Sequence, residues 1–128
     1  MEKDFDTWNN LKQKLDALDD IPLFKEREIW WCCIGNNIGH EENGKNEKFN
    51  RPVIVIRKFN NRLFWGVPLT TKLKENRHYH IFSFAEKKQA AMLTQMRLWD
   101  ANRLTERMGR IRESEFLPIK NNLLAYLK

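Results

Sequence analysis

The longest uninterrupted apolar run in the chain spans only residues 29–34, reading Ile29-Trp30-Trp31-Cys32-Cys33-Ile34. It falls far short of the ~20 residues that cross a bilayer. A short run, apolar on both faces, is what a fully buried strand requires. The core must then be assembled from several such pieces, and the chain supplies them at intervals of roughly ten residues. Pro52 opens a second strand through Val53, Ile54, Val55 and Ile56. Residues 63–69 read as a third strand, 79–84 as a fourth with apolar and polar residues alternating, 91–98 as a fifth, and Gly109-Arg110-Ile111 as a last short one.

Turn chemistry supports this division. Asn60-Asn61 lies between two apolar stretches, and because Asn tolerates positive φ it predicts a tight hairpin. Pro68 predicts a strand edge or a strand end. Asp100 is placed to cap a short helical turn before Leu104. Two amphipathic helices flank the strands. In the leader, Phe5, Trp8, Leu11, Leu15 and Leu18 form one apolar stripe, with Asp4 or Asp6 as N-cap and Asp19, Asp20 and Pro22 as the stop. At the other end Phe116, Ile119, Leu123, Leu124 and Leu127 repeat at helical spacings, with Pro118 expected in the first turn. The expected fold is mainly β with flanking helices, a small curled sheet or barrel.

Size and composition fit one such unit. A 15.5 kDa chain exposes roughly 7,000 Å² folded against about 22,000 Å² unfolded, enough burial for a single core. One domain over 1–128 is therefore expected, with residues 1–20 as an accessory helix. At 41% hydrophobic and 12% aromatic the chain is too apolar for disorder, although 31% of it is charged. The opening MEKDFDTWNN is acidic and has no apolar signal core, so a soluble, cytoplasmic protein is expected. Residues 1–20 hold three Lys and six acids, net −3; the rest holds 20 Lys or Arg and 11 acids, net +9. A basic body with an acidic leader points to a polyanionic partner, nucleic acid first. Adjacent Cys32 and Cys33 suit neither an ordinary disulfide nor zinc spacing, and read as small buried hydrophobes.

Five blocks occur in order: Glu28-Ile29-Trp30-Trp31, Gly39-His40-Glu41, Arg51-Pro52-Val53-Ile54-Val55-Ile56, Val67-Pro68-Leu69-Thr70-Thr71-Lys72 and Gln95-Met96-Arg97-Leu98. Their order and spacing, followed by Gly109 and a final helix, resemble the MazF/PemK toxins over about residues 27–127. That resemblance implies an SH3-like small barrel with a C-terminal helix, usually a homodimer. It implies a toxin of a type II toxin-antitoxin system, held inactive by a cognate antitoxin. It also implies a metal-independent, cofactor-free endoribonuclease that cuts single-stranded RNA at short sequences. Arg51 and Thr70 carry over as catalytic positions. Three departures stand out: a longer loop from Glu41 to Arg51, Thr94 where many members have an acid, and the leader helix.

The chemistry can be read from the residues as well. RNA is cut without a metal when its own 2′-hydroxyl attacks the adjacent phosphorus. A base must take that proton, an acid must supply the leaving 5′-oxygen, and donors must meet the charge that builds on the phosphate. Arg51 offers paired donors that are always charged. Thr70 ends a strand where its hydroxyl can reach a phosphate oxygen, with Thr71 and Lys72 beside it to position the backbone. An unperturbed histidine has a pKa of about 6.5, and His40 is either the proton carrier or a loop histidine that contacts RNA or caps the turn. Lys45 and Lys48 lie in a donor-rich loop between His40 and Arg51, read as a flap over the site. Gln95 and Arg97 are expected on one strand face, as RNA contacts or as structural groups. His78 and His80 are expected on a polar sheet face, open to RNA rather than to a metal, since no third and fourth ligand stand at a recognisable spacing. Most of the tryptophans are expected in the core, with Phe59 and Trp65 partly exposed. Two other readings compete with the ribonuclease: a noncatalytic nucleic-acid-binding barrel, and an interaction module that works through its helices.

Overall fold

The computed structural model describes residues 21–33 and 50–127. The predicted leader helix lies outside them, as does the loop that carries His40, Lys45 and Lys48. Seven antiparallel strands follow in chain order: β1 (Glu28–Cys33), β2 (Asn50–Lys58), β3 (Leu63–Thr70), β4 (Tyr79–Phe84), β5 (Lys87–Met92), β6 (Arg97–Asp100) and β7 (Leu104–Arg110), closed by helix α1 (Glu113–Ala125). The sheet runs β4-β5-β3-β2-β1-β7, and β6 pairs with β3.

The middle strands are apolar on both sides because both sides are covered. From β2, Ile54 and Ile56 pack with Ile29, Val67 and Leu69 against Phe116, Ile119 and Leu123 of α1. The alternate residues Val53 and Val55 pack with Trp30, Cys32, Phe64, Trp99 and Leu104. This second face is enclosed by the curl of the sheet itself. Register shifts at Val55/Arg57 in β2 and at two points between β1 and β7 bend the strands. The bend carries β6 and β7 toward each other, and a single 3-10 turn, Ala101–Arg103, joins them. The result is an incompletely closed, barrel-like sheet with a C-terminal helix, as expected.

Several predicted elements take a different form. Residues 91–98 are not one strand. They contain the end of β5, a 3-10 turn at Leu93–Gln95 and the start of β6. Leu93 is buried within that turn, which is why it reads as strand in the sequence. β5 and β6 share one edge of β3, β6 pairing Leu63 to Gly66 and β5 pairing Leu69 and Thr70. Pro68 therefore lies on an interior strand, at the point where β3 changes partners. The β4–β5 hairpin turns through Ala85 and Glu86 at φ 52° and 64°, positive values that ordinarily call for Asn or Gly. At the Asn60 hairpin neither Asn has positive φ; the Asn60 side chain accepts from the N–H groups of Arg62 and Leu63 at 2.8 and 2.9 Å. The short strand predicted at Gly109 extends back to Leu104. Pro118 is the sixth residue of α1, in its second turn, and removes the N–H that would bond to Ser114. Leu124 and Leu127 of the predicted stripe stay outside the core, 53% and 78% exposed.

Two histidines fasten α1 to the sheet. Tyr126 Oη donates to the Arg77 carbonyl at 3.0 Å, so its single hydrogen is spent and it accepts from His78 Nδ1 at 2.7 Å. Asn122 Nδ2 donates to His80 Nδ1 at 2.7 Å, which requires that nitrogen unprotonated. Burial lowers the His80 pKa, with Glu115 opposing. A base depressed in the folded state binds protons more readily when unfolded, so its contribution is intact above 6.5, the ordinary histidine value, and falls as the pH drops below that. Stability should fall between about pH 7 and 5 in the wild-type chain and fall less steeply in His80→Gln, read from urea midpoints.

Gly66 supplies a steric test of the enclosed face. A Cβ there would lie 2.6 Å from Val53 Cγ1, 2.8 Å from Phe64 and 2.9 Å from Trp99. Gly66→Ala should cost about 1–3 kcal/mol in urea unfolding, the usual penalty for overpacking a filled core.

Candidate functional site

Arg51 is the second residue of β2, held extended by the proline that follows it. Cys32 of β1 is its partner across one edge. Across the other edge, the Val53–Pro68 pairing projected two residues further places Thr70 opposite Arg51. Opposed residues in antiparallel strands share a face. Arg51 Nη1 donates to the Leu69 carbonyl at 3.0 Å, which sets the guanidinium against the peptide joining Leu69 to Thr70. The two side chains singled out in the sequence thus meet at the end of β3. Arg51 is only 2% exposed, which excludes a solvated surface arginine.

Thr70 is the last residue of β3 and is 7% exposed. Its Oγ1 accepts the Lys72 N–H at 3.2 Å, a bond that leaves the hydroxyl hydrogen to donate elsewhere. That bond also turns the chain outward, so Thr71 and Lys72 are exposed beside the buried pair.

Two further guanidinium groups approach from β6 and the turn after it. Arg97 pairs with Gly66 and stacks its Cζ 4.0 Å over the Trp99 ring. Arg103 Nη1 donates to the Cys33 carbonyl at 3.2 Å. The positive fields of both reach the Cys32 thiol. Burial pushes that thiol well up from its ordinary value, and Arg103 and Arg97 oppose the shift without reversing it. Two arginines from β6 and the turn after it therefore act on the neutral thiol of Arg51's cross-strand partner. Concentrated cations near a water-poor face suit an anion, and low local dielectric strengthens each of them.

Arg103 was not among the residues singled out by sequence. Its reach to Cys33 spans 70 positions of chain, and only the capped turn at Asp100 was visible locally. Gln95 sits in the 3-10 turn rather than on a strand face with Arg97, and its Nε2 lies 3.8 Å from Met92 Sδ. His78 and His80 are both half-exposed, and their Nδ1 atoms are engaged by Tyr126 and Asn122. Among the described residues, no three His, Cys, Asp or Glu side chains cluster to hold a metal ion. No described helix is long and apolar enough to cross a membrane. Phe59 and Trp65 are partly exposed, as expected, and meet edge to face at 4.9 Å. His40, Lys45 and Lys48 lie outside the described residues.

Residues 25–127 match the family of PemK-like, MazF-like toxins of type II toxin-antitoxin systems. The fold is similar to MazF from Deinococcus radiodurans, with TM-score 0.69 and 18% identity over 85% of this chain and 98% of that one. It is also similar to a chain of the MazE-MazF complex from the same organism, with TM-score 0.64 and 15% identity over 85% and 97%. A mycobacterial endoribonuclease in complex with its cognate antitoxin gives TM-score 0.60 and 13% identity over 83% and 94%. No curated protein sequence matches the chain.

The burial of the two cysteines has a direct readout. Neither Cys32 nor Cys33 should react with Ellman's reagent in the native protein, and both should react at once in denaturant. A fast native thiol would place Cys32 outside the water-poor site described above.

Proposed function

The chain belongs to the family of PemK-like, MazF-like toxins of type II toxin-antitoxin systems, and on that premise we propose that it is a metal-independent endoribonuclease cutting single-stranded RNA at specific short sequences. The observation that carries this reading is the buried Arg51 guanidinium held at the Leu69–Thr70 peptide.

The reaction is an internal transfer. The ribose 2′-oxygen forms a bond to the neighbouring phosphorus while the bond from phosphorus to the 5′-oxygen breaks. The 2′ proton leaves to a base and another proton arrives on the 5′-oxygen. The products are a 2′,3′-cyclic phosphate and a 5′-hydroxyl. Arg51 meets the charge that builds on the non-bridging oxygens, and the Thr70 hydroxyl donates to one of them. Arg97 and Arg103 raise the local positive field. Thr71 and Lys72, exposed at the rim, hold adjacent phosphates in register. His40 is assigned the proton transfer, while Lys45, Lys48 and Gln95 are assigned to RNA contacts from the β1–β2 loop and the 3-10 turn. Attack in line with the leaving oxygen needs a sugar free of helical constraint, which favours unpaired RNA. The same reading gives the chain a cognate antitoxin, a second copy as its homodimer partner, and the cytoplasm as its place of action.

Purified protein incubated with a long unstructured RNA in excess chelator should give discrete cuts with 2′,3′-cyclic phosphate ends. Binding without cuts would instead support a noncatalytic nucleic-acid-binding barrel. Arg51→Ala should lower cleavage about 10²- to 10³-fold, the scale of losing one donor to a transition-state charge. Because Arg51 is buried, Arg51→Lys is the companion variant: it keeps the charge, loses the fork, and should also be impaired. Cooperative unfolding of each variant checks that it is folded, and undiminished cleavage by either folded variant overturns the site assignment.

A further inference from the structure

At the other end of β2 lies a groove of about 370 Å³ between the sheet and α1. Its apolar walls come from Trp65, Met96, Leu124 and Leu127, of which Trp65 is 40% exposed and the two leucines more than half. Its rim carries Arg57, Lys58 and Lys120 against one acid, Glu26. Glu26 already accepts the Lys58 backbone N–H at 3.0 Å. A groove that is apolar inside and cationic at its edge fits an amphipathic segment with acids flanking its apolar stripe.

The chain contains an apolar stripe whose acids, Asp4, Asp6, Asp16, Asp19 and Asp20, gather at its two ends. Residues 1–20 carry Phe5, Trp8, Leu11, Leu15 and Leu18 at helical spacing and a net charge of −3. They precede the family match, which begins at residue 25. We propose that this leader docks in the groove of its own chain, its apolar stripe on Trp65, Leu124 and Leu127 and its acids toward Lys58 and Lys120.

Tethering favours the leader over other occupants. Phe24 is fully buried, its carbonyl accepts Lys58 Nζ at 2.8 Å, and its ring lies 4.5 Å below the same ammonium. The chain is therefore anchored at the groove's rim only a few residues after the leader ends. Fourteen helical residues measure about 21 Å, and because Ile21 is itself packed against the enclosed cluster, the link from residue 19 to it spans up to about 7 Å. A tether this short corresponds to an effective concentration in the millimolar range. A second basic body, net +9 without its leader, lacks that charge complementarity. The proposal is independent of the ribonuclease reading.

The test is amide hydrogen exchange on the full chain, together with sizing by light scattering. Amides of residues 5–18 should exchange at least about tenfold more slowly than an unstructured chain. Leu124→Asp and, separately, Lys120→Glu should each remove most of that protection while the amides of β1–β3 keep theirs. Carbodiimide treatment should link a leader acid to Lys58 or Lys120 within one chain. Free exchange of the leader in a monomer would leave the groove to a separate acidic partner and overturn the proposal. Protection untouched by both substitutions would place the leader elsewhere and overturn it. A dimer that dissociates in Leu124→Asp, with leader exchange unchanged, would give the groove to a second copy and overturn it as well.

Discussion

Everything at the candidate site depends on holding one guanidinium almost entirely out of water. Removing a cation from solvent costs several kcal/mol unless it is well bonded, and arginine stays charged in any such environment. Backbone offsets part of that cost. Arg51 lies between β1 and β3, and its Nη1 reaches the Leu69 carbonyl. The strands' register is in turn set by the alternation of Val53 and Val55 with Ile54 and Ile56 between two separate clusters. A slip of one residue would exchange those faces and turn Arg51 away from Thr70.

The opposite end of β1 shows the complementary arrangement. Glu28 is buried, and its carboxylate accepts from the Lys25 N–H, Trp30 Nε1 and Arg107 Nε at 2.6, 3.1 and 2.7 Å. Burial raises its pKa, but the bonds from Arg107, Trp30 and Lys25 outweigh that and leave it below the usual carboxylate value. The β1–β2 pair thus carries buried Glu28, ion-paired with Arg107, at one end and the buried Arg51 guanidinium at the other. The groove against α1 lies at the Glu28 end, near Glu26 and Lys58, away from Arg51. Chemistry and docking can therefore occupy different ends of one small sheet.

What the sequence made legible follows from how local each signal is. Residues 79–84 show a period of two and appear as β4 with the same limits. The apolar block at 29–34 is β1 displaced by one residue. Arg51 and Thr70 were visible through the family resemblance of the Arg51-Pro52-Val53 and Pro68-Leu69-Thr70 blocks; taken alone they read as a surface arginine and an ordinary strand threonine. The misses came where long-range pairing overrides local preference. The turn through Ala85 and Glu86 has no turn residue to announce it, so only Ala91 and Met92 of β5 fell within the predicted strand. What the His78 and His80 imidazoles touch was equally out of local reach, since Tyr126 and Asn122 come from more than forty residues away to engage their Nδ1 atoms. Arg103 becomes part of the site only because the curl of the sheet brings β7 beside β1.

The adjacency of Arg51 and Pro52 is one physical device rather than two neighbouring residues. The projected register that sets Thr70 opposite Arg51 sets Leu69 opposite Pro52. Proline has no N–H, so β2 offers no backbone donor at that position. The donor to the Leu69 carbonyl is instead the Arg51 side chain. The proline thus opens a place in the ladder that the arginine fills, and it holds the arginine's own backbone extended while doing so. An arginine placed there by backbone pairing is preorganised before any anion arrives, so little reorganisation is left for the moment at which charge develops.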